Sequence, residues 1–289
     1  WARDLPALAR SGVRRFTFTG GEPVLALGAV RVLAQQAAIC GIRTGIVTSG
    51  AWASEPRLAA RIVRTLNAIS HWDFGYDEYH AESLSWDRFK TALTAVKESG
   101  ASFSVRLCES DPRRTAELAD RLRSETQGRA PVFIQPVRRL GRGAQLHQIG
   151  VQPLPPQQPC MSTGPFIRED GSSGPCCSGL AYREDIQHPF RYGNADTDGL
   201  LAIWTRWKED QLLRLMRLSG LHYPVGWVDS WDRPPSWSND VCESCVSLWS
   251  AASSKAAGAL SNRASHQEIR AQLDKLERHL YGELWEERH

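Results

Sequence analysis

Methionine is nearly missing from this chain: Met161 and Met216 are the only two in 289 residues, and residue one is Trp1. Long apolar runs are missing too. No segment approaches the ~18–20 apolar residues that a membrane-spanning helix needs. No basic, then apolar, then small-residue segment opens the chain as a secretory signal would. An excess of one charge sign is also lacking. The 35 Lys and Arg against 32 Asp and Glu leave a net charge of +3, which gives no field for nucleic acid or an anionic membrane. These absences point to a soluble, cytoplasmic protein. What remains is ordinary globular composition, 42% hydrophobic and 23% charged, in a chain long enough for a barrel with an appendage.

Up to about residue 137 the pattern alternates strand and helix. Arg14 to Thr19 is a short β-rich run that ends in Gly20-Gly21, and Val24 to Ala38 is an Ala- and Leu-rich helix stopped by Gly41. Ile42 to Thr48 is a second strand. The next helix takes Ser54 as its cap and Pro56 in its first turn, with Leu58, Ile62, Leu66 and Ile69 along one stripe. Trp72 to Tyr76, Phe103 to Leu107 and Val132 to Val137 are further strands. Ser85 and the pair Asp111-Pro112 open the helices between them. Such alternation implies parallel strands with crossover helices, in a barrel or an open sheet.

After Gly143 the character changes. Val151 to Pro159 is an extended, Pro- and Gln-rich loop, and Leu200 to Leu218 is helical. Ser250 to Ser265 reads as a small-residue linker. Ile269, Leu273, Leu276 and Leu280 then stripe an amphipathic tail helix, expected to pack onto its own domain or, as an alternative, to self-associate. Six of the eleven tryptophans (204, 207, 227, 231, 237 and 249) fall in residues 160–249, the composition of a small packed core.

Seven cysteines are present, and five lie in the second half: Cys160, Cys176 and Cys177, then Cys242 and Cys245. Without a secretory signal, that grouping favours metal ligation over disulfides. Four thiolates drawn from two short segments suit a [4Fe–4S] cluster or a tetrahedral zinc equally. The Cys242-Glu243-Ser244-Cys245 motif by itself would also suit a redox disulfide. Cys40 and Cys108 stand alone and read as small buried hydrophobes.

Thr19-Gly20-Gly21-Glu22-Pro23 stands at the carboxyl end of the first strand, where parallel α/β enzymes bind ligands. Two glycines let backbone approach a ligand, and the glutamate can accept hydrogen bonds from a cationic amine. The plainer reading is a tight turn with a capping acid.

The run Phe16 to Pro23 resembles the GGEP motif of radical S-adenosylmethionine enzymes, and the resemblance continues in order. Thr48-Ser49-Gly50 is similar to the family's Thr-Asn-Gly strand end, with Ser49 a departure. Asp77 matches the Asp that closes a later strand, and Tyr79-His80 follows it. Gln135-Pro136-Val137 through Gly141-Arg142-Gly143 resembles the segment closing the last barrel strand of peptide-modifying members. Cys160, Gly171 and Cys176 are spaced like the opening of SPASM and twitch extensions. There Ile167 to Cys177 would be a hairpin turning at Asp170-Gly171, with Gly193-Asn194 before the next helix. The family's catalytic CxxxCxxC does not occur in this sequence. The chain reads as cut inside its first βα unit, and as inactive by itself.

The resemblance implies an incomplete (β/α)6 barrel over residues 1–143 and a Cys-rich α+β auxiliary-cluster domain over 144–250. A linker and amphipathic helix over 251–289 would follow. It implies S-adenosylmethionine held by Gly20, Gly21, Glu22, Pro23, Ser49, Asp77 and Arg106, although Arg106 suits a rim ion pair equally. Tyr76 and His80 are candidates to face substrate. One auxiliary [4Fe–4S] cluster would sit on Cys160, Cys176, Cys242 and Cys245, with Cys177 packing beside it; four cysteines leave no room for a second. The implied activity is hydrogen abstraction through a 5′-deoxyadenosyl radical, on a peptide or protein, with a flavodoxin or ferredoxin as electron donor. A catalytic [4Fe–4S] cluster belongs only to a longer protein. The alternatives are a small-molecule radical dehydrogenase, or a non-catalytic barrel with a four-cysteine zinc site.

Overall fold

Short apolar runs separated by helical segments give the first half of the chain its architecture in the computed structural model. It describes residues 1–109, 111–137, 152–177, 179–183, 185–226, 235–252 and 254–281. The chain divides into two units, Trp1–Val137 and Arg138–His289.

In the first unit, α1 (Leu5–Arg10) precedes five strands: β1 (Arg15–Phe18), β2 (Arg43–Thr48), β3 (Ile69–Gly75), β4 (Ser102–Glu109) and β5 (Val132–Pro136). They form one sheet in chain order, every neighbouring pair parallel. Between them run α2 (Leu27–Ile39), α3 (Pro56–Thr65), the short α4 (Glu78–Ala81), α5 (Trp86–Ser99) and α6 (Pro112–Thr126). Strand order that follows chain order, with crossovers of one hand, puts the helices on one face. A doubly wound sheet would reverse its order partway.

The side chains obey that topology. Ile46, Trp72, Phe74, Val105 and Leu107 face the helices and bury against Ala34, Ile62, Phe89, Val96 and Leu122. The alternate residues, His71, Asp73, Ser104 and Arg106 among them, occupy the opposite face, because successive strand residues point to opposite sides. Two helix starts are as expected: Ser85 Oγ accepts from Arg88 N at 3.4 Å, and Asp111 Oδ1 accepts from Arg114 N at 2.9 Å. A third is not. Glu55, not Ser54, is the N-cap of α3, and it makes no side-chain bond.

The second unit starts its regular structure with a hairpin, β6 (Phe166–Ile167) against β7 (Ser173–Gly174), antiparallel around Asp170-Gly171. Helices α7 (Leu200–Glu209), α8 (Gln211–Ser219), α9 (His222–Gly226), α10 (Val241–Ala251), α11 (Ser254–Ala264) and α12 (Gln267–Tyr281) complete it. The single helix expected near 200–218 is broken at Asp210, whose carboxylate caps α8 by accepting from Leu213 N at 2.9 Å. The stretch expected as a linker holds α11. Phe190, Ile203, Trp207, Leu213, Met216, Leu248 and Trp249 form the core, with Trp237 at its border and Trp204 packed against it. Trp227, Trp231 and Gly141 to Gly143 lie outside the described residues. No described helix is long and apolar enough to cross a membrane.

Candidate functional site

The carboxyl ends of β1, β2 and β3 carry the loop residues singled out above. Gly20 sits at φ +103, a backbone conformation that disfavours any side chain, and nothing lies within 4 Å of where a Cβ on Gly20 or Gly21 would stand. Both are exposed. Pro23 is buried and starts a short 3-10 turn that Glu22 caps through Val24 N at 3.3 Å. The Glu22 carboxylate also reaches the end of β2. It accepts from Thr48 Oγ1 at 2.8 and 2.9 Å, from Ser49 N at 3.1 Å and from Ser49 Oγ at 3.0 Å. A carboxylate offers about four lone-pair sites, so these donors fill it. Glu22 is therefore a brace between two strand ends. Thr48 is the hub of that brace, since its Oγ1 also accepts from Gly50 N at 3.1 Å and Trp52 Nε1 at 2.8 Å. Sequence reading missed the roles of Thr48 and Trp52.

Asp77 follows β3 and caps α4. It is buried, and it accepts from His80 N at 3.0 Å, His80 Nδ1 at 2.8 Å and Cys108 N at 3.3 Å. Burial pushes its carboxyl up, but the His80 ring and the backbone donors outweigh this and hold it below the usual carboxylate value. Tyr76 belongs to the helix-covered face, buried with its hydroxyl on Leu84 O, so it is part of the core and not a residue facing substrate. His80 remains half exposed.

On the face away from the helices a polar ladder crosses two strands. Ser102 Oγ donates to Ser70 O at 2.8 Å, His71 bridges Ser102 and Ser104 at 2.9 Å each, and Ser104 Oγ donates to Asp73 Oδ1 at 2.8 Å. Asp73 then pairs with Arg106 Nε. Of the two readings of Arg106, this geometry adds the ion pair, yet the guanidinium stays half exposed, with the Phe133 ring 5.5 Å away. Alternating polar residues within β3 and β4 were the signal that marks this ladder.

In the second unit, local bonds carry the cysteine segments towards one another. Cys160 N donates to Met216 O at the end of α8, at 2.9 Å. Ser162 Oγ and Trp207 Nε1 both donate to Pro175 O, at 2.6 and 2.9 Å, tying the Cys160 loop to the segment carrying Cys176. Asp240 caps α10 through Cys242 N and Glu243 N, and Ser244 Oγ exchanges bonds with Ser238 N and O. Cys242 and Cys245 thus sit one turn apart at the start of a helix, on one side of it. All four cysteines are partly buried. Burial pushes the Cys245 thiol well above the usual value, and Cys160, Cys176 and Cys242 each push it further. Burial raises Cys160 as well, and Cys242 adds to that. The four thiols are within electrostatic reach of a common centre at Cys245.

Cys177 is exposed, and neither Cys40 nor Cys108 is fully buried; none of the seven is in a disulfide. Gln135 Nε2 donates to Cys108 Sγ at 3.6 Å. Among the described residues no group of three or more His, Cys, Asp or Glu stands in an arrangement ready to hold an ion. The donor set nevertheless fits a thiolate-ligated metal or iron–sulfur group: four soft donors in apolar surroundings. A buried indole N–H, that of Trp249, also lacks a hydrogen-bond partner beside them.

No family model and no curated protein matches this chain. Among solved structures it is similar to polyhistidine-tagged anSMEcpe with bound AdoMet, at a TM-score of 0.51 and 14% identity, over 94% of this chain and 88% of that one. It is also similar to native anSMEcpe with bound AdoMet and Kp18Cys peptide, at a TM-score of 0.49 and 15% identity, over 91% and 90%. The anSME protein is an anaerobic sulfatase-maturating enzyme of the radical S-adenosylmethionine kind. At these identities the likeness is one of fold.

Proposed function

We propose that this chain carries the cofactor-binding and auxiliary-cluster parts of a radical S-adenosylmethionine enzyme that modifies a peptide or protein. The first unit would be a partial (β/α)6 barrel that holds the cofactor, and the second an auxiliary-cluster domain. The observation that carries the reading is the Gly20-to-Pro23 loop at the carboxyl edge of a parallel sheet. That sheet is wound on one side only, in a fold shared with an AdoMet-bound structure.

Each residue then has a role. Gly20 and Gly21 leave open backbone on which the cofactor's methionine end can lie. Glu22 offers a carboxylate to its amino group, the Ser49 hydroxyl being the donor that can rotate away. Asp77 fixes the end of β3. Arg106, aimed by Asp73, offers its remaining N–H groups to a carboxylate on the open face. When bound, S-adenosylmethionine supplies the hydrogen-abstracting radical, and the protein positions and shields it. Cys160, Cys176, Cys242 and Cys245 would hold one auxiliary [4Fe–4S] cluster. A flavodoxin or ferredoxin would serve as electron donor in the cytoplasm.

Equilibrium dialysis against S-adenosylmethionine tests this. Glu22→Ala removes the brace and the carboxylate together, and affinity should fall about tenfold, ~1.4 kcal/mol. Bound iron should not change. An unaltered affinity, or no saturable binding by the unsubstituted chain, would sink the cofactor assignment.

A further inference from the structure

Trp249 lies on α10 one turn beyond Cys245, at the i, i+4 spacing that stacks two side chains on one helix face. The residue is 1% exposed, and its indole N–H is buried with no hydrogen-bond partner. Leaving such a donor unpaired forfeits its hydration with nothing in return, so native folds seldom do it without a reason. Other tryptophans in this chain satisfy theirs: Trp52 donates to Thr48 and Trp207 to Pro175 O. Among the described residues Trp72 is the other buried indole left unpaired, and it sits in the apolar core of the first unit.

What sets Trp249 apart is the sulfur beside it. A neutral thiol is a weak acceptor, whereas a thiolate is a strong one. Phe190 packs edge-on against the indole, with ring centres 5.1 Å apart at 89°, and so fixes its plane. An N–H with no use beside a thiol has one beside a metal-bound thiolate.

We propose that Trp249 donates its indole N–H to the Cys245 sulfur when that sulfur ligates an iron–sulfur group, and thereby sets the group's reduction potential. This rests on the four-cysteine reading above. Hydrogen bonds to ligand sulfur favour the reduced, more negative state and so raise the potential. One electron from dithionite takes the group from oxidised to reduced, and no proton leaves Trp249.

The test uses the full chain, reconstituted anaerobically with iron and sulfide. Iron content is measured first, for the unsubstituted chain and for Cys245→Ala. Iron that is absent, or indifferent to Cys245→Ala, overturns the four-cysteine reading and this inference with it. With the group loaded, Trp249→Phe should keep its iron and become harder to reduce by about tenfold in the equilibrium constant. For one electron that is a midpoint ~59 mV more negative. Phe190→Leu, which loosens the same ring without removing a donor, should shift the midpoint far less. An unchanged midpoint in Trp249→Phe, or an equal shift in Phe190→Leu, overturns the donor role and leaves the cysteine reading standing. If Trp249→Phe fails to load, 3-benzothienylalanine at position 249 replaces it. That analogue keeps the bicyclic shape, lacks the N–H, and is judged by the same two outcomes.

Discussion

Gly50 shows how tightly single residues hold the end of β2. It has φ +81, and a Cβ there would stand 2.9 Å from the Ala92 Cβ, a helix atom with no rotamer to yield. Strain and overlap act together, so Gly50→Ala should destabilise the chain by about 2–3 kcal/mol. The urea midpoint would fall with an unchanged slope. Gly28, near the start of α2 with nothing within 4 Å of its Cβ position, makes the control. There alanine should be neutral or stabilising, by up to ~1 kcal/mol. Equal losses at the two sites would mean that local helix propensity, not the contact with Ala92, decides. The sequence shows at this scale which residues are chemically notable but not what they touch. Glu22 and Thr48 are each recognisable in a motif, whereas neither motif says that the two bond to one another. Cys176 and Cys177 are adjacent letters, and only folding turns one towards Cys245 and the other to solvent.

Elements were more legible, because burial imposes a period on them. The five strands and the longer helices between them follow from alternation and punctuation, and the Ser85 and Asp111 caps fall where their sequences put them; the short α4 was not foreseen, and Ile69, read as part of the α3 stripe, opens β3. The misses have physical reasons. Ser250 to Ser265 looks featureless because most of its buried residues are small: Ala257 and Ala264 stand at helical spacing around a single Leu260 and give little hydrophobic contrast. The break at Asp210 was hidden because only one of its partners, Leu213 N, is local; the other, the Tyr192 hydroxyl at 2.9 Å, comes from a distant part of the chain. The tail stripe did foretell that α12 packs on its own unit, but not how. Arg214 of α8, largely buried, meets Asp274 at 2.7 Å and Glu277 at 2.7 Å. Arg214→Met should strand two acids at that contact and cost about 2–3 kcal/mol, less than for a fully buried pair. Amide exchange across Gln267–Tyr281 should quicken most. Exchange that stays slow there would show that Leu273 and its apolar neighbours dock the helix unaided.

For the molecule as a whole, the net charge of +3 at pH 7 says little about acid tolerance; the half-buried histidines say more. Burial, with Arg191 and Arg168 nearby, holds His188 down to about 4 against the Leu180 backbone that raises it. Its Nδ1 accepts from Phe190 N at 3.2 Å, which keeps the neutral ring's proton on Nε2. Burial likewise lowers His71 in the polar ladder, with Arg15 and Arg106 adding to it and Asp73 opposing. In both cases the unfolded chain binds a proton that the fold refuses, so stability drops as pH falls from about 6.5 towards 4. Asp77, held low, keeps its contribution through that window and loses it only below the ordinary carboxylate value of 3.8. Asp210, raised by burial, has the opposite sign and recovers part of the loss. The His188 shift corresponds to about 3 kcal/mol unscreened, and to roughly 1–2 kcal/mol once its partial exposure to solvent is discounted. Urea unfolding at pH 7 and pH 4.5 should therefore show a stability loss of that order, and His188→Gln should remove the larger share of it. If the substituted chain loses as much on acidification as the original, the linkage belongs to other groups and His188 is a bystander.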